Sequence, residues 1–229
     1  DQGFQSLQTL HIGEGDYSGC AALHAGTDAA GRPWLVMDGW ASAARNSLAS
    51  SIITYDSETG FLGTYYPEGI SPSTMRRQTL RYDPALLSTD IDGNGTIDIP
   101  QELTDGGILN EPLDSRLKFL LWQDYGDESG GNFCFGIYDS EYRFFLPLPE
   151  SMHGNVLVRP NGPGTGWLLC NAAGTMAYCE LRIVDPAEAG GENYVRIATI
   201  GSQQLQFREI NNYYGLTASD LQKGVVLFE

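Results

Sequence analysis

The residues best suited to chemistry in this chain lie in one short run, Asp90-Ile91-Asp92-Gly93-Asn94-Gly95-Thr96-Ile97-Asp98-Ile99-Pro100. Oxygen-bearing residues recur there at alternate places. Asp90, Asp92 and Asn94 offer side-chain oxygens at the first, third and fifth positions, Thr96 a carbonyl at the seventh, and Asp98 a carboxylate at the ninth. A hard cation such as calcium takes roughly six to eight oxygens at about 2.3–2.6 Å, and a short alternating loop can wrap around it. Gly95 permits the positive φ that such wrapping needs, and Ile97 is expected to point inward as the anchor. The spacing predicts a calcium site built from Asp90, Asp92, Asn94, Thr96 and Asp98. Its expected role is to fix a loop rather than to carry out a reaction.

The run is not an EF-hand. The twelfth position, where a bidentate Glu belongs, is Gln101, and Glu102 sits one place late. Pro84 upstream and Pro100 downstream also argue against flanking helices. Other catalytic patterns fall short. The chain has no G-x-S-x-G elbow, no Walker loop and no H-E-x-x-H. His11, His24 and His153 are not at ligand spacing from one another; His153 beside Ser151 is a formal base–nucleophile pair at the expected domain junction, where a structural role is expected. Gly162-Pro163-Gly164-Thr165-Gly166 resembles a phosphate loop, but Trp167 opens a strand instead of a helix. Nothing places two carboxylates across a cleft as a glycosidase pair. Trp34, Trp40, Tyr65, Tyr66, Tyr213 and Tyr214 are candidates for a sugar-binding platform, although aromatics on strands ordinarily fill the core.

The elements that must position these residues are strands. Pro33 to Asp38, Ser51 to Tyr55, Leu117 to Trp122, Asn132 to Tyr138, Asn155 to Arg159, Trp167 to Cys170, Met176 to Val184 and Tyr194 to Ile200 are short apolar or alternating runs between Gly, Asp and Ser. The 28 Gly and 11 Pro suit a turn-rich β protein. One helix is predicted at the C-terminus, where Thr217 and Asp220 have capping-box spacing and Leu221, Val225 and Phe228 share a face; Gly224 weakens it.

Charge excludes some partners. The 29 Asp and Glu against 13 Lys and Arg leave a formal charge of −16, which repels phosphate backbones and anionic lipid. No nucleic-acid partner is expected, and no stretch is long and apolar enough for direct membrane insertion of this segment. Cys20, Cys134, Cys170 and Cys179 include no C-x-x-C pair. Cys170 and Cys179 flank the turn Asn171 to Thr175, and two registers are open. A two-residue Gly174-Thr175 turn sets the cysteines opposite each other. A type I turn with Gly174 in the left-handed bulge pairs Asn171 with Thr175 and sends them to opposite faces. Asn first and Gly fourth favour the second, with reduced, buried thiols.

Two internal echoes suggest a repeated unit. Tyr55-Asp56-Ser57-Glu58-Thr59-Gly60-Phe61 is matched 83 residues later by Tyr138-Asp139-Ser140-Glu141-Tyr142-Arg143-Phe144, and each reads as a hairpin tip. Thr27-Asp28 before Trp34 similarly parallels Thr89-Asp90 before Ile97, with Ala29 and Ala30 where the second copy has ligands.

On these residues the Asp90–Asp98 run resembles the calcium loop of FG-GAP or VCBS-type repeats, the blades of integrin-like β-propellers, whose ligands map onto Asp90, Asp92, Asn94 and Asp98. With Leu117 to Trp122 and Tyr142 to Pro147, the chain also resembles exported, often lipid-anchored gut-bacterial proteins of unknown function, over roughly Trp34 to Val158. The expected architecture is mostly β. Two propeller-blade-like meander units with the calcium loop occupy 1–150, and a small β-rich domain with a C-terminal helix occupies 151–229. Asp1 in first place suits a mature exported domain and equally a fragment of a cytosolic protein; the loop suited to millimolar calcium favours the first, an extracellular or cell-surface protein whose signal or lipid anchor precedes this segment. The expected function is a non-catalytic binding or scaffold module with a glycan or protein partner. The alternative is an extracellular hydrolase acting on polysaccharide or peptide.

Overall fold

The computed structural model of the protein describes residues 8–13, 15–28, 30–44, 46–103, 117–126, 132–161, 166–191 and 193–228. Strands hold 48% of the residues and helices 9%, in three antiparallel sheets, so the mostly β architecture is what the chain adopts. Among the described residues there is no closed barrel or propeller. The chain divides into two compact units, Asp1–Glu102 with Trp122–Phe133, and Leu103–Leu121 with Cys134–Glu229. The point expected as a domain boundary, after Glu150, lies inside the second unit.

In the first unit, β1 (Tyr17–Thr27), β2 (Pro33–Ala41), β3 (Leu48–Asp56) and β4 (Phe61–Tyr65) form a four-stranded antiparallel meander in sequence order. Residues alternate between buried and half-buried along most of β2, whereas Leu48 to Ile53 of β3 are all buried, as a strand covered on both faces requires. Helix α1 (Pro72–Gln78) and strand β5 (Ile99–Glu102) follow. The core gathers Trp34, Val36, Ile52, Met75, Ile99 and Tyr125, with Tyr65, Tyr66, Ile70 and Ile97 packed against it. Each such fully buried side chain contributes about 1.5–3 kcal/mol. Helix α1 had a start signal that a search for apolar periodicity passes over: Ser71 caps it, its Oγ accepting the Thr74 N–H at 3.2 Å, and Pro72 takes the first helical place.

The second unit holds β6 (Leu117–Gln123) up to Leu121, β7 (Phe133–Asp139) from Cys134, β8 (Phe144–Pro147), β9 (Val156–Pro160), β10 (Gly166–Asn171), β11 (Ala177–Val184), β12 (Val195–Ile200), β13 (Gln203–Glu209), α2 (Ala218–Gly224) and β14 (Val226–Leu227). One sheet runs β14-β8-β7-β6 and the other β12-β13-β11-β10-β9. Leu117, Ile137 and Phe144 of the first meet Val158, Trp167, Leu169 and Leu181 of the second around one apolar interior. Residues 162–165, most of the phosphate-loop look-alike, lie outside the described residues, and Gly166 beyond them begins a strand.

The C-terminal helix is real but shorter than the shared face of Leu221, Val225 and Phe228 implied. Thr217 caps it through the Asp220 N–H at 3.2 Å, and it ends at Gly224. A Cβ on Gly224 would meet Pro147 Cγ at 2.6 Å, so the glycine permits close approach to β8. Beyond it the chain pairs with β8, and Phe228 meets Tyr138 edge-on at 5.6 Å.

The hairpin echo survives folding. Asp56 pairs with Phe61 across β3–β4, and Asp139 with Phe144 across β7–β8. Asp56 Oδ1 accepts from the Glu58 and Thr59 amides, and Asp139 Oδ1 from those of Glu141 and Tyr142. Positive φ falls at Gly60 in one copy and at Arg143, the matching place, in the other. The acidic-loop echo does not keep its place: Asp28 sits in the turn between β1 and β2, whereas the Asp90 run leads into β5.

Cys170 lies opposite Ala177 and Cys179 opposite Leu169, with a register shift between them, so the two buried thiols face opposite sides of the sheet and are free. Gly174 is left-handed as expected, but the Asn171 N–H bonds to the Met176 carbonyl, one residue beyond the predicted partner.

Candidate functional site

The Asp90–Asp98 loop is closed by its own amides. Asp90 Oδ1 accepts from Gly93 N at 2.7 Å and Asn94 N at 3.0 Å, and its Oδ2 from Gly95 N at 2.9 Å. Asp92 Oδ1 accepts from Asn94 N at 3.0 Å. Gly93 and Gly95 adopt φ of +79° and +91°, a region costly for other residues. Asp98 and Thr89 exchange both backbone hydrogen bonds and fix the loop's base. Ile97 packs on the first unit's core, as the anchor role requires.

This scaffold brings one carboxylate oxygen from each of Asp90, Asp92 and Asp98 to within 4.8 Å of one another. Asp92 is exposed, Asp90 half-buried and Asp98 buried. Among the described residues no ion pair reaches any of the three. Burial pushes the Asp98 carboxyl up to about 7, helped by the charges of Asp92, Asp124 and Asp90 and opposed by the Ile91 amide on its Oδ2. The two remaining members of the predicted set bond to each other and to the cluster: exposed Asn94 accepts at Oδ1 from Thr96 N at 2.7 Å and Thr96 Oγ1 at 2.6 Å, and its Nδ2 donates to Asp92 Oδ2 at 3.1 Å. Oxygen donors and uncompensated negative charge suit a hard divalent cation and offer nothing to a soft one. Asp124, which spacing could not flag, is a buried fourth carboxylate acting on Asp98.

A second polar cluster, invisible in the sequence, lies beneath the meander. Asp38 Oδ1 accepts from Arg81 Nη2 at 2.5 Å, Ser50 Oγ at 2.6 Å and Ser88 Oγ at 2.7 Å. Its Oδ2 accepts from Ser88 N at 2.7 Å and lies 3.3 Å from His24 Nε2. Burial opposes ionisation of Asp38, but His24, the Arg81 charge and the Ser50 and Ser88 bonds together hold its carboxyl below the usual range. Arg81 and Asp38 are both fully buried, and Arg81 also donates to the Thr79 and Leu86 carbonyls. The serines donate to the carboxylate and not to the imidazole, so this set lacks the Ser–His–Asp order of a nucleophile. Its chemistry is that of a satisfied buried ion pair.

The remaining candidates scatter. His153 packs its ring on Phe135 with centroids 5.1 Å apart. Of the six aromatics, Trp34, Tyr65 and Tyr66 meet in the first unit's core and Trp40 lies beside Ser18 and Asn46. In the second unit Tyr213 stacks on Tyr178 and Tyr214 meets both edge-on, so Tyr213 and Tyr214 present no flat platform. Among the described residues no helix is long and apolar enough to cross a membrane. No protein-family model, no curated protein and no solved structure matches the chain.

Proposed function

We propose that the chain is an exported, non-catalytic module of a bacterial cell surface whose Asp90–Asp98 loop is locked by calcium and whose partner is a glycan or another protein. The observation that carries the calcium reading is the convergence of three carboxylates, one of them buried, with no ion pair to any of them among the described residues. Bound calcium draws ligands from Asp90, Asp92 and Asp98. Asn94 and the Thr96 carbonyl complete the set once the Asn94 amide turns from Thr96 to the ion. The FG-GAP-type likeness agrees with this loop and with a four-stranded meander, although the loop precedes β5 and not the meander. The non-catalytic reading is supported by the chemistry of the two polar clusters, which balance or collect charge without activating a nucleophile.

Thermal unfolding in excess EDTA, in millimolar calcium and in millimolar magnesium tests it. At a hundredfold excess over the dissociation constant, calcium stabilises by about 2.7 kcal/mol, a shift of several degrees. The gain is expected with calcium and to vanish in Asp90→Ala/Asp92→Ala. Equal midpoints in all three buffers, for a folded protein, would sink the calcium reading.

A further inference from the structure

The first unit carries a cleft of about 320 Å³ between the β1–β2 turn and the β3–β4 hairpin, a volume in the range of small-ligand sites. Asp28 and Arg32 line one side, Asp56 and Glu58 the other, and Trp34, Tyr55 and Tyr65 supply aromatic surface. We propose that this cleft binds a neutral saccharide, with Tyr55 as the stacking ring and the Asp28–Arg32 pair as the hydroxyl-reading group. The inference rests on the glycan-partner reading above and names its site.

A sugar hydroxyl both donates and accepts, so a site that reads adjacent hydroxyls needs fixed acceptors beside fixed donors. Asp28 and Arg32 provide both, joined at 2.5 Å between Arg32 Nε and Asp28 Oδ2. Their geometry is set in advance, because Asp28 Oδ1 also accepts the Ala30 and Arg32 amides. Asp56 is equally fixed, by the Glu58 and Thr59 amides and the Thr59 hydroxyl at 2.8 Å. Groups held this way lose little freedom on binding. The apolar face of a sugar ring needs a flat partner, and Tyr55 is 49% exposed, with its cross-strand neighbour Leu62 extending the apolar surface. Three carboxylates against one guanidinium disfavour an anionic ligand. Arg32 neutralises Asp28 and leaves Asp56 and Glu58 as the charge open to a cation, which the spermidine titration scores.

Isothermal titration in calcium buffer with maltotetraose, cellotetraose and chitotetraose as probes, and spermidine as the cationic alternative, tests the assignment. At least one tetrasaccharide is expected to bind at one site, with affinity falling about tenfold in Tyr55→Ala and unchanged in Tyr213→Ala. A matching thermal midpoint shows that Tyr55→Ala is folded, and Glu58→Gln serves as a milder second variant. Saccharide binding indifferent to Tyr55→Ala but lost in Tyr213→Ala would overturn the cleft and leave the glycan-partner reading standing. Failure of all three sugars at millimolar concentration would overturn both, and binding of spermidine alone would reassign the cleft to cations. The calcium reading is scored separately by thermal unfolding.

Discussion

Two turns in the first unit begin alike, Thr27-Asp28 and Thr89-Asp90, and treat their negative charge differently. In the first, Asp28 is buried, and its carboxylate is met by the Ala30 and Arg32 amides and by the Arg32 guanidinium four residues away. Charge closes within the turn. In the second, Asp90, Asp92 and Asp98 converge on one another and, among the described residues, are met only by backbone amides and the neutral Asn94 carboxamide. Backbone N–H groups orient carboxylates but carry only partial charge, so the net charge of the cluster stays open. The difference teaches that a repeated acidic turn is a folding device in either form, and that the location of the counter-charge decides whether it depends on a solvent cation.

The largest expected effect separates the two turns directly. Asp28→Ala removes three hydrogen bonds to a buried carboxylate and leaves two amides and a guanidinium without it. The cost is about 3 kcal/mol, taking roughly 1–1.5 kcal/mol for each of the two amide bonds and up to about 1 kcal/mol for the exposed guanidinium. Denaturant unfolding is expected to show that loss equally in EDTA and in calcium. A loss confined to calcium buffer would break the comparison, because it would tie Asp28 to the metal.

Asp98→Asn is expected to act with opposite signs in the two buffers. Without metal it removes a buried like charge and stabilises by about 1 kcal/mol; in calcium it removes a ligand and abolishes most of the cation's gain. The pH dependence follows from the raised carboxyl. Its folded value of about 7 exceeds the ordinary 3.8, so its stabilising contribution is complete below the ordinary value and is lost as pH rises through about 7. Calcium's gain over EDTA should therefore grow between pH 5 and about 8 in the parent and stay small in Asp98→Asn. Burial of Asp28 works against its ionisation, but the Arg32 amide and guanidinium hold its carboxyl below 3.8. The stability Asp28 contributes is present above 3.8 and is lost as pH falls through its depressed value. Thermal midpoints across the range, with and without calcium, check both signs.

Much of the fold was legible because its cues are local. Alternation marked β2, β7 and β11, and the YDSE turns were found as hairpin tips because an Asx turn needs only its own residues. The carboxylates of the Asp90 run were legible for the same reason: their convergence is set within nine residues. What escaped lacks a local cue. Strand β1 is mostly Gly, Ala, Ser and Cys with little apolar contrast, whereas β13, Gln-Gln-Leu-Gln-Phe-Arg-Glu, does alternate but sets only two apolar residues, the buried Leu205 and Phe207, in a polar run. The Asp38–Arg81 pair joins residues 43 apart and the cleft joins two turns, so neither leaves a spacing to read. The acidic-loop echo misled because Thr-Asp begins many turns, and composition alone does not say between which strands a turn will fall.

The smallest effect tests the guanidinium alone. Arg32 is 61% exposed at its side chain, so Arg32→Gln keeps the Ala30 and Arg32 amides on Asp28 and removes a screened charge with its hydrogen bond to the carboxylate. Exposed pairs of this kind are worth about 0.2–1 kcal/mol, and salt should erase most of the difference between parent and variant. Asp28 then becomes a carboxylate satisfied only by amides, as Asp90 is, yet it remains one carboxylate where the other loop has three. A single anionic oxygen pair cannot supply the roughly six ligands that calcium takes. Arg32→Gln is accordingly expected to unfold slightly earlier at low salt and to gain no extra stability from calcium over the parent. If it did gain, convergence of several carboxylates would not be what makes a turn calcium-dependent, and the open charge alone would suffice.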